Sequence, residues 1–120
     1  MTEQLISPHV TLSTINELDV IRVHNHNASA TIAIQGAHLF EYAPIDANNL
    51  LFVSQAESYE RGQPIRGGVP VCWPWFGAHA TQSDAPAHGF VRNQPWQYEV
   101  MSDSEQRTEI KFWLETDGAN

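Results

Sequence analysis

An all-β fold of short antiparallel strands is the reading this sequence supports, and three observations carry it. Apolar and β-branched residues alternate with polar ones at a period of two along much of the chain. Clusters of Asp, Asn, Gly and Ser punctuate those runs at short intervals, where turns belong. No segment keeps a 3.6-residue period long enough to make a convincing helix. Many short strands separated by turns are the signature of a β-sandwich.

Taken in order, residues His9 to Ile15 read as a first strand and Leu18 to His24 as a second, with Glu17-Leu18-Asp19 at the connection. His24-Asn25-His26-Asn27 reads as a polar hairpin turn. Ser29 to Gln35 alternates Ala30, Ile32 and Ile34 against Thr31, Ala33 and Gln35, then breaks at Gly36. Ala37 to Ala43 forms the next strand, Asp46-Ala47-Asn48-Asn49 a turn, and Leu50 to Ser54 a short apolar strand. At most one helical turn fits Gln55 to Glu60. Gln97 to Met101 and Thr108 to Glu115 make a closing antiparallel pair around Ser102-Asp103-Ser104-Glu105-Gln106. Between them, Gln55 to Pro95 is a long irregular connection. Connections longer than about 15 residues in a small domain are usually functional or mobile.

The 120 residues suffice for one small domain, and a hydrophobic content of 42% places the chain in the folded class. The net charge of −8, six Lys and Arg against fourteen acids, speaks against nucleic acid or an anionic membrane surface as partner. No apolar run approaches the roughly 20 residues that cross a bilayer, and Met1-Thr2-Glu3-Gln4 is not the basic start of a signal peptide. The single cysteine, Cys72, forms no internal disulfide, so a reducing cytoplasm is the expected compartment.

The chemistry gathers between Pro64 and Trp96. That segment reads Pro64-Ile65-Arg66-Gly67-Gly68-Val69-Pro70-Val71-Cys72-Trp73-Pro74-Trp75-Phe76-Gly77, a polar loop, then His88-Gly89-Phe90-Val91-Arg92-Asn93-Gln94-Pro95-Trp96. Gly admits close backbone approach, Pro fixes the path, aromatic rings give flat walls, and Arg and His give directed hydrogen bonds. This is the inventory of a polar-ligand site, with a sugar as first candidate. Three of the six cations, Arg61, Arg66 and Arg92, fall here on an otherwise acidic chain, which suits a small anionic ligand. The alternative is that they pair with acids such as Glu60 or Asp84. Arg92 is open between supporting a pocket and serving structure. Trp73, Trp75, Phe76 and Trp96 are candidate pocket walls or core residues. His24 and His26 share a strand face and permit a metal reading, against which stands the hairpin turn; His38 and His79 show no partner pattern. No nucleophile triad, P-loop or Cys cluster is present.

These two runs resemble the aldose 1-epimerase (mutarotase) superfamily, in the branch of glucose-6-phosphate 1-epimerases, or hexose-6-phosphate mutarotases. Arg66 to Gly77 and His88 to Trp96 match both halves of that branch's motif, and Gly36-Ala37-His38-Leu39 matches an upstream strand start. The resemblance implies the N-terminal portion of a galactose-mutarotase-like β-sandwich (a supersandwich), with a long irregular loop, and one partial domain over residues 1–120. It implies interconversion of α and β anomers of a hexose 6-phosphate through acid and base catalysis of ring opening, without metal or cofactor. In the family, the general acid is a histidine of a later strand motif and the base a late glutamate, and neither motif occurs here. The resemblance therefore assigns Arg66, His88, Arg92 and Arg61 to substrate binding and no residue to the catalytic pair. A non-catalytic carbohydrate-binding module, and an aldose 1-epimerase acting on unphosphorylated sugar, stand as alternatives. A partial sandwich is also expected to self-associate through uncovered strands, with the Ile110-Phe112-Leu114 and Ile32-Ile34 faces as candidates.

Overall fold

The computed structural model describes residues 3–82 and 84–115. Five strands form an antiparallel meander in chain order: β1 (Gln4–Ser7), β2 (Val10–Ile15), β3 (Leu18–His24), β4 (Ala28–Ala33) and β5 (His38–Pro44). A second sheet is the hairpin of β6 (Gln97–Asp103) and β7 (Thr108–Trp113). Ile15 pairs with Leu18, so Asn16-Glu17 is a two-residue turn, with Asn16 in the left-handed region that Asn tolerates (φ 52°). At the next turn, Asn25 Oδ1 accepts from the backbone N–H of Asn27 and of Ala28, at 2.9 and 3.1 Å. The polar hairpin turn read from His24 to Asn27 is thus an Asn-organised one.

One expectation changes. Leu50 to Ser54 forms no strand; it makes a single bridge, Val53 to Gly67, because Asn49 turns the chain by holding the N–H of both Tyr42 and Leu51. Gln55 to Glu60 forms no helical turn, since the Glu57 carboxylate takes the N–H of Tyr59 at 2.6 Å and draws the backbone out of helix. Strand β1 was not read from the sequence; its four residues, half exposed, carry too short a pattern.

One face of the large sheet buries Leu18, Val20 and Ala33, joined by Phe40 from β5 and by Ile65 from the connection, with Val53 and Tyr59 packed against them. A β-bulge opposite Thr31 and Ile32 turns Phe40 into this core. Its ring meets Tyr59 at 5.5 Å. Thus the irregular segment, not a strand, roofs this side.

Over the opposite face lies the β6–β7 hairpin. An open groove of about 390 Å³ separates Val23, Ala30, Ile32 and Tyr42 from Thr108 and Ile110. Ile32, Ile34, Ile110, Phe112 and Leu114 are half-buried rather than bare; Ile32 and Ile110 line this groove from its two sides, and Leu114 lies beside Val71 and Trp73 of the connection. Among the described residues no strand ladder joins the two sheets. Hydrogen bonds at the turn end, mostly from side chains, do so instead. The Asp103 carboxylate accepts from Ser7 Oγ at 2.6 Å, His9 N at 2.9 Å, His9 Nδ1 at 3.0 Å and Thr108 Oγ1 at 3.0 Å. Asn25 Nδ2 donates to Thr108 Oγ1 at 3.0 Å, and His26 N to Glu105 O at 2.7 Å. The radius of gyration, 15.2 Å, exceeds the about 14 Å of a compact domain of this length. No helix among the described residues is long and apolar enough to cross a membrane.

Candidate functional site

The run Arg66-Gly67-Gly68-Val69 enters as an extra, irregular strand. Val69 bridges Leu39 of β5 on one side, and Gly67 bridges Val53 on the other. A Cβ on Gly67 would stand 2.2 Å from the Phe52 carbonyl oxygen and 2.6 Å from Val53 Cα, and its φ is +139°. This glycine therefore admits neighbouring backbone, where the sequence suggested the approach of a ligand. Its side-chain-bearing neighbour is what faces outward: Arg66 is exposed.

The backbone that carries Arg66 is pinned at successive atoms. Arg66 N donates to Glu57 Oε1 at 2.6 Å, Ser54 N donates to Arg66 O at 2.8 Å, and Gly68 N donates to Phe52 O at 2.8 Å. The Gly67 carbonyl accepts from His38 Nε2 at 2.5 Å. Glu57 was not singled out in sequence, and His38 was noted there only within the Gly36-Ala37-His38-Leu39 run and as a histidine without a partner pattern. His38 stands at the start of β5 opposite Ala33, on the core-facing side, and only 1% of it is exposed. Burial pulls its pKa below the usual 6.5; the Gly67 hydrogen bond opposes this, the Arg92 charge adds to it, and Glu57 opposes it again. The ring is neutral at neutral pH, with its proton on Nε2.

Arg92 sits on a single 3₁₀ turn, Val91–Asn93. Gly36 fits that turn closely: at φ +77° a Cβ there would lie 2.5 Å from the Arg92 carbonyl oxygen. Arg92 Nη2 donates to Ala87 O at 3.3 Å, while its Nε is buried without a partner. Arg66 and Arg92 line one cleft of about 340 Å³, together with Glu57, Ser58, Glu60 and Gln63. Among the described residues, the ion pairs are His9–Asp103, His26–Glu105 and Arg107–Glu109, so Arg61, Arg66 and Arg92 pair with neither Glu60 nor Asp84.

The remaining candidates lie elsewhere. Arg61 lines a separate depression of about 190 Å³ with Gln35, Asn93 and Pro95. His88 closes the neck of the 77–88 loop: its N–H donates to Gly77 O at 2.7 Å, and its Nδ1 accepts from Gly77 N at 3.0 Å. That acceptance leaves the neutral ring's proton on Nε2. Trp73 and Trp96 line one apolar depression with Val91 and Trp113, and Trp75 lines a separate, largely polar one with His79 and Gln94. Phe76 is 80% exposed and its ring lies tilted against His88 at 4.7 Å. The four aromatics thus make no common wall to the arginine cleft. Trp73 and Trp75 pack on Phe90, at 6.0 and 6.1 Å, and the indole N–H groups of Trp75 and Trp96 are spent on the carbonyls of Pro86 and Val91. Among the described residues no three His, Cys, Asp or Glu side chains gather as metal ligands.

A fold of this kind, an antiparallel sheet roofed by an Arg-Gly-Gly loop, has relatives. The family model described as Aldose 1-epimerase matches residues 19–120, and the chain belongs to that family. An Escherichia coli protein bearing the name "Putative glucose-6-phosphate 1-epimerase" is 47% identical over 91 residues, which cover 76% of this chain and 31% of that protein. A Salmonella typhimurium protein of the same name is 37% identical over 117 residues, 98% of this chain and 39% of that one. The crystal structure of a "putative mutarotase" from Salmonella typhimurium superposes with a TM-score of 0.89 at 34% identity, covering 97% of this chain and 39% of that chain. The chain thus spans between 31% and 39% of the length of these relatives.

Proposed function

We propose that this chain forms the sugar-phosphate-binding part of a hexose-6-phosphate 1-epimerase. The observation that carries the reading is the shared cleft of Arg66 and Arg92. A guanidinium takes a phosphate in a two-pronged, charge-assisted fork and is the residue type suited to that task. Of the two acids in the cleft, Glu57 is already occupied by the N–H groups of Arg66 and Tyr59, at 2.6 Å each, and Glu60 makes no ion pair with either arginine. The names borne by the relatives point to the same substrate class.

Exchange of anomers needs a base at the anomeric hydroxyl and an acid at the ring oxygen, each within hydrogen-bond reach. In this reading those proton transfers fall to groups outside these residues. The chain's part is to hold the phosphate through Arg66, with Arg92 behind it, and to offer the His88 Nε2–H to a sugar hydroxyl. Arg61 contributes to the positive field from its own depression.

Titration of the 120-residue protein with glucose 6-phosphate and with glucose, followed by two-dimensional NMR, tests the reading. Arg66→Ala should weaken the phosphorylated sugar about tenfold or more, as expected for loss of a charge-assisted bond, and leave glucose unchanged. Equal losses for both sugars, or none for either, refute the phosphate role.

A further inference from the structure

We propose that His38 is a positioning residue for Arg66: its buried Nε2–H holds the Gly67 carbonyl and thereby aims the guanidinium into the cleft it shares with Arg92. The inference deepens the sugar-phosphate reading and rests on it.

The Arg66 side chain is exposed and no carboxylate among the described residues anchors it, so the region its guanidinium can reach is set by where its backbone lies. Of the bonds that pin this backbone, those from Phe52, Ser54 and Glu57 come from the same irregular connection. Two bonds come from a strand of the large sheet: Val69 N donates to Leu39 O at 2.7 Å, and His38 Nε2 donates to Gly67 O. The His38 bond is the one that falls on the peptide next to Arg66, and it references that peptide to the rigid part of the molecule. Packing alone does not ask for an imidazole here. The adjoining core is Leu18, Val20, Ala33, Phe40 and Ile65, where an apolar side chain would fill the same space without a polar group to satisfy. The ring also feels the charge of Arg92. One buried side chain thus holds the peptide next to one arginine and feels the charge of the other. A phosphate that must meet both depends on that spacing, and misplacement on the scale of an ångström has large effects on such sites.

The test is a double-mutant cycle on the full chain, with glucose 6-phosphate as probe and the dissociation constant read by NMR from the folded-state signals. The variants are His38→Leu, His38→Gln and Arg66→Ala, and His38→Leu combined with Arg66→Ala. His38→Leu should raise the dissociation constant about tenfold, the effect of losing the bond that fixes the guanidinium. His38→Gln retains an N–H donor at similar reach and should stay within about threefold of the parent. In the Arg66→Ala background, His38→Leu should add nothing. Where His38→Leu does not fold, His38→Asn replaces it, since its shorter amide does not reach Gly67. A variant that loses thermal stability yet binds like the parent overturns the proposal, and so does a His38 effect that persists undiminished without Arg66. If Arg66→Ala itself leaves binding unchanged, the sugar-phosphate reading falls and this inference with it. If Arg66→Ala weakens binding and the His38 variants do not, only the inference falls.

Discussion

Asp103 offers the most direct test of how the two sheets are held together. Its side chain is 5% exposed and accepts from Ser7 Oγ, His9 N, His9 Nδ1 and Thr108 Oγ1, all within 3.0 Å. A hydrogen bond to a charged group contributes about 1.5–3 kcal/mol net. In Asp103→Ala the freed donors are half-buried, so some of them regain water, and about two bonds' worth is lost for good, roughly 3–6 kcal/mol. Asp103→Asn keeps the shape and one acceptor oxygen and should lose about half as much. Urea unfolding at pH 7, followed by tryptophan fluorescence and circular dichroism, measures both. Acidification supplies a second reading of the same contact. Burial pushes the Asp103 pKa up, but the bonds from Ser7, His9 and Thr108 together outweigh it and hold the group below 3.8. The unfolded state therefore binds the proton first. The stabilisation is fully present above 3.8 and is lost as pH falls through the folded value. The parent and Asp103→Asn should converge in acid. An Asp103→Ala variant within about 0.5 kcal/mol of the parent at pH 7 would refute the reasoning, as that is the range of an inconsequential surface change.

Gly67→Ala combines a positive φ with a Cβ 2.2 Å from the Phe52 carbonyl oxygen, and should cost roughly 3 kcal/mol or more in urea unfolding; a cost below about 1 kcal/mol would show that the loop yields easily. Burial and the Arg92 charge depress the His38 pKa below 6.5, with Glu57 and the Gly67 carbonyl opposing, so its neutral form favours folding. That contribution is whole above pH 6.5 and declines below it, where the unfolded chain takes the proton first; His38→Gln should flatten the loss between pH 6.5 and the folded value, and an unchanged slope would count against it.

The regular half of the molecule was legible because its sequence alternates. Leu18 and Val20 point inward while Asp19 points out, and β3 spans the same Leu18–His24 that the period of two marks. The family was legible from Arg66 to Gly77 and His88 to Trp96, which carry combinations of residues no strand needs. Side-chain capture of backbone, by contrast, leaves no periodic trace. Glu57 and Asn49 each rewrite the path of several residues by taking their N–H groups, and neither differs in sequence from an ordinary surface residue. His38 was passed over because its partner is a carbonyl 29 positions away. The glycines of the motif were seen, but for a different reason. Gly67 meets the Phe52–Val53 backbone and Gly68 the Leu39–Phe40 backbone, contacts between segments that only the fold brings together.

The clamp at Asp103 also bears on the order of events in folding. The meander pairs strands that follow one another in sequence, so each closes a short loop. The Ser7–Asp103 bond spans 96 positions and becomes favourable only after the intervening chain is largely in place. Its rupture should accordingly govern the rate at which the protein unfolds, and its removal should leave the refolding rate nearly untouched. Hydrogen exchange would show the hairpin as a separate cooperative unit, with the amides of β6 and β7 exchanging ahead of those in β2 to β4. The seam between the sheets is where this molecule first comes apart.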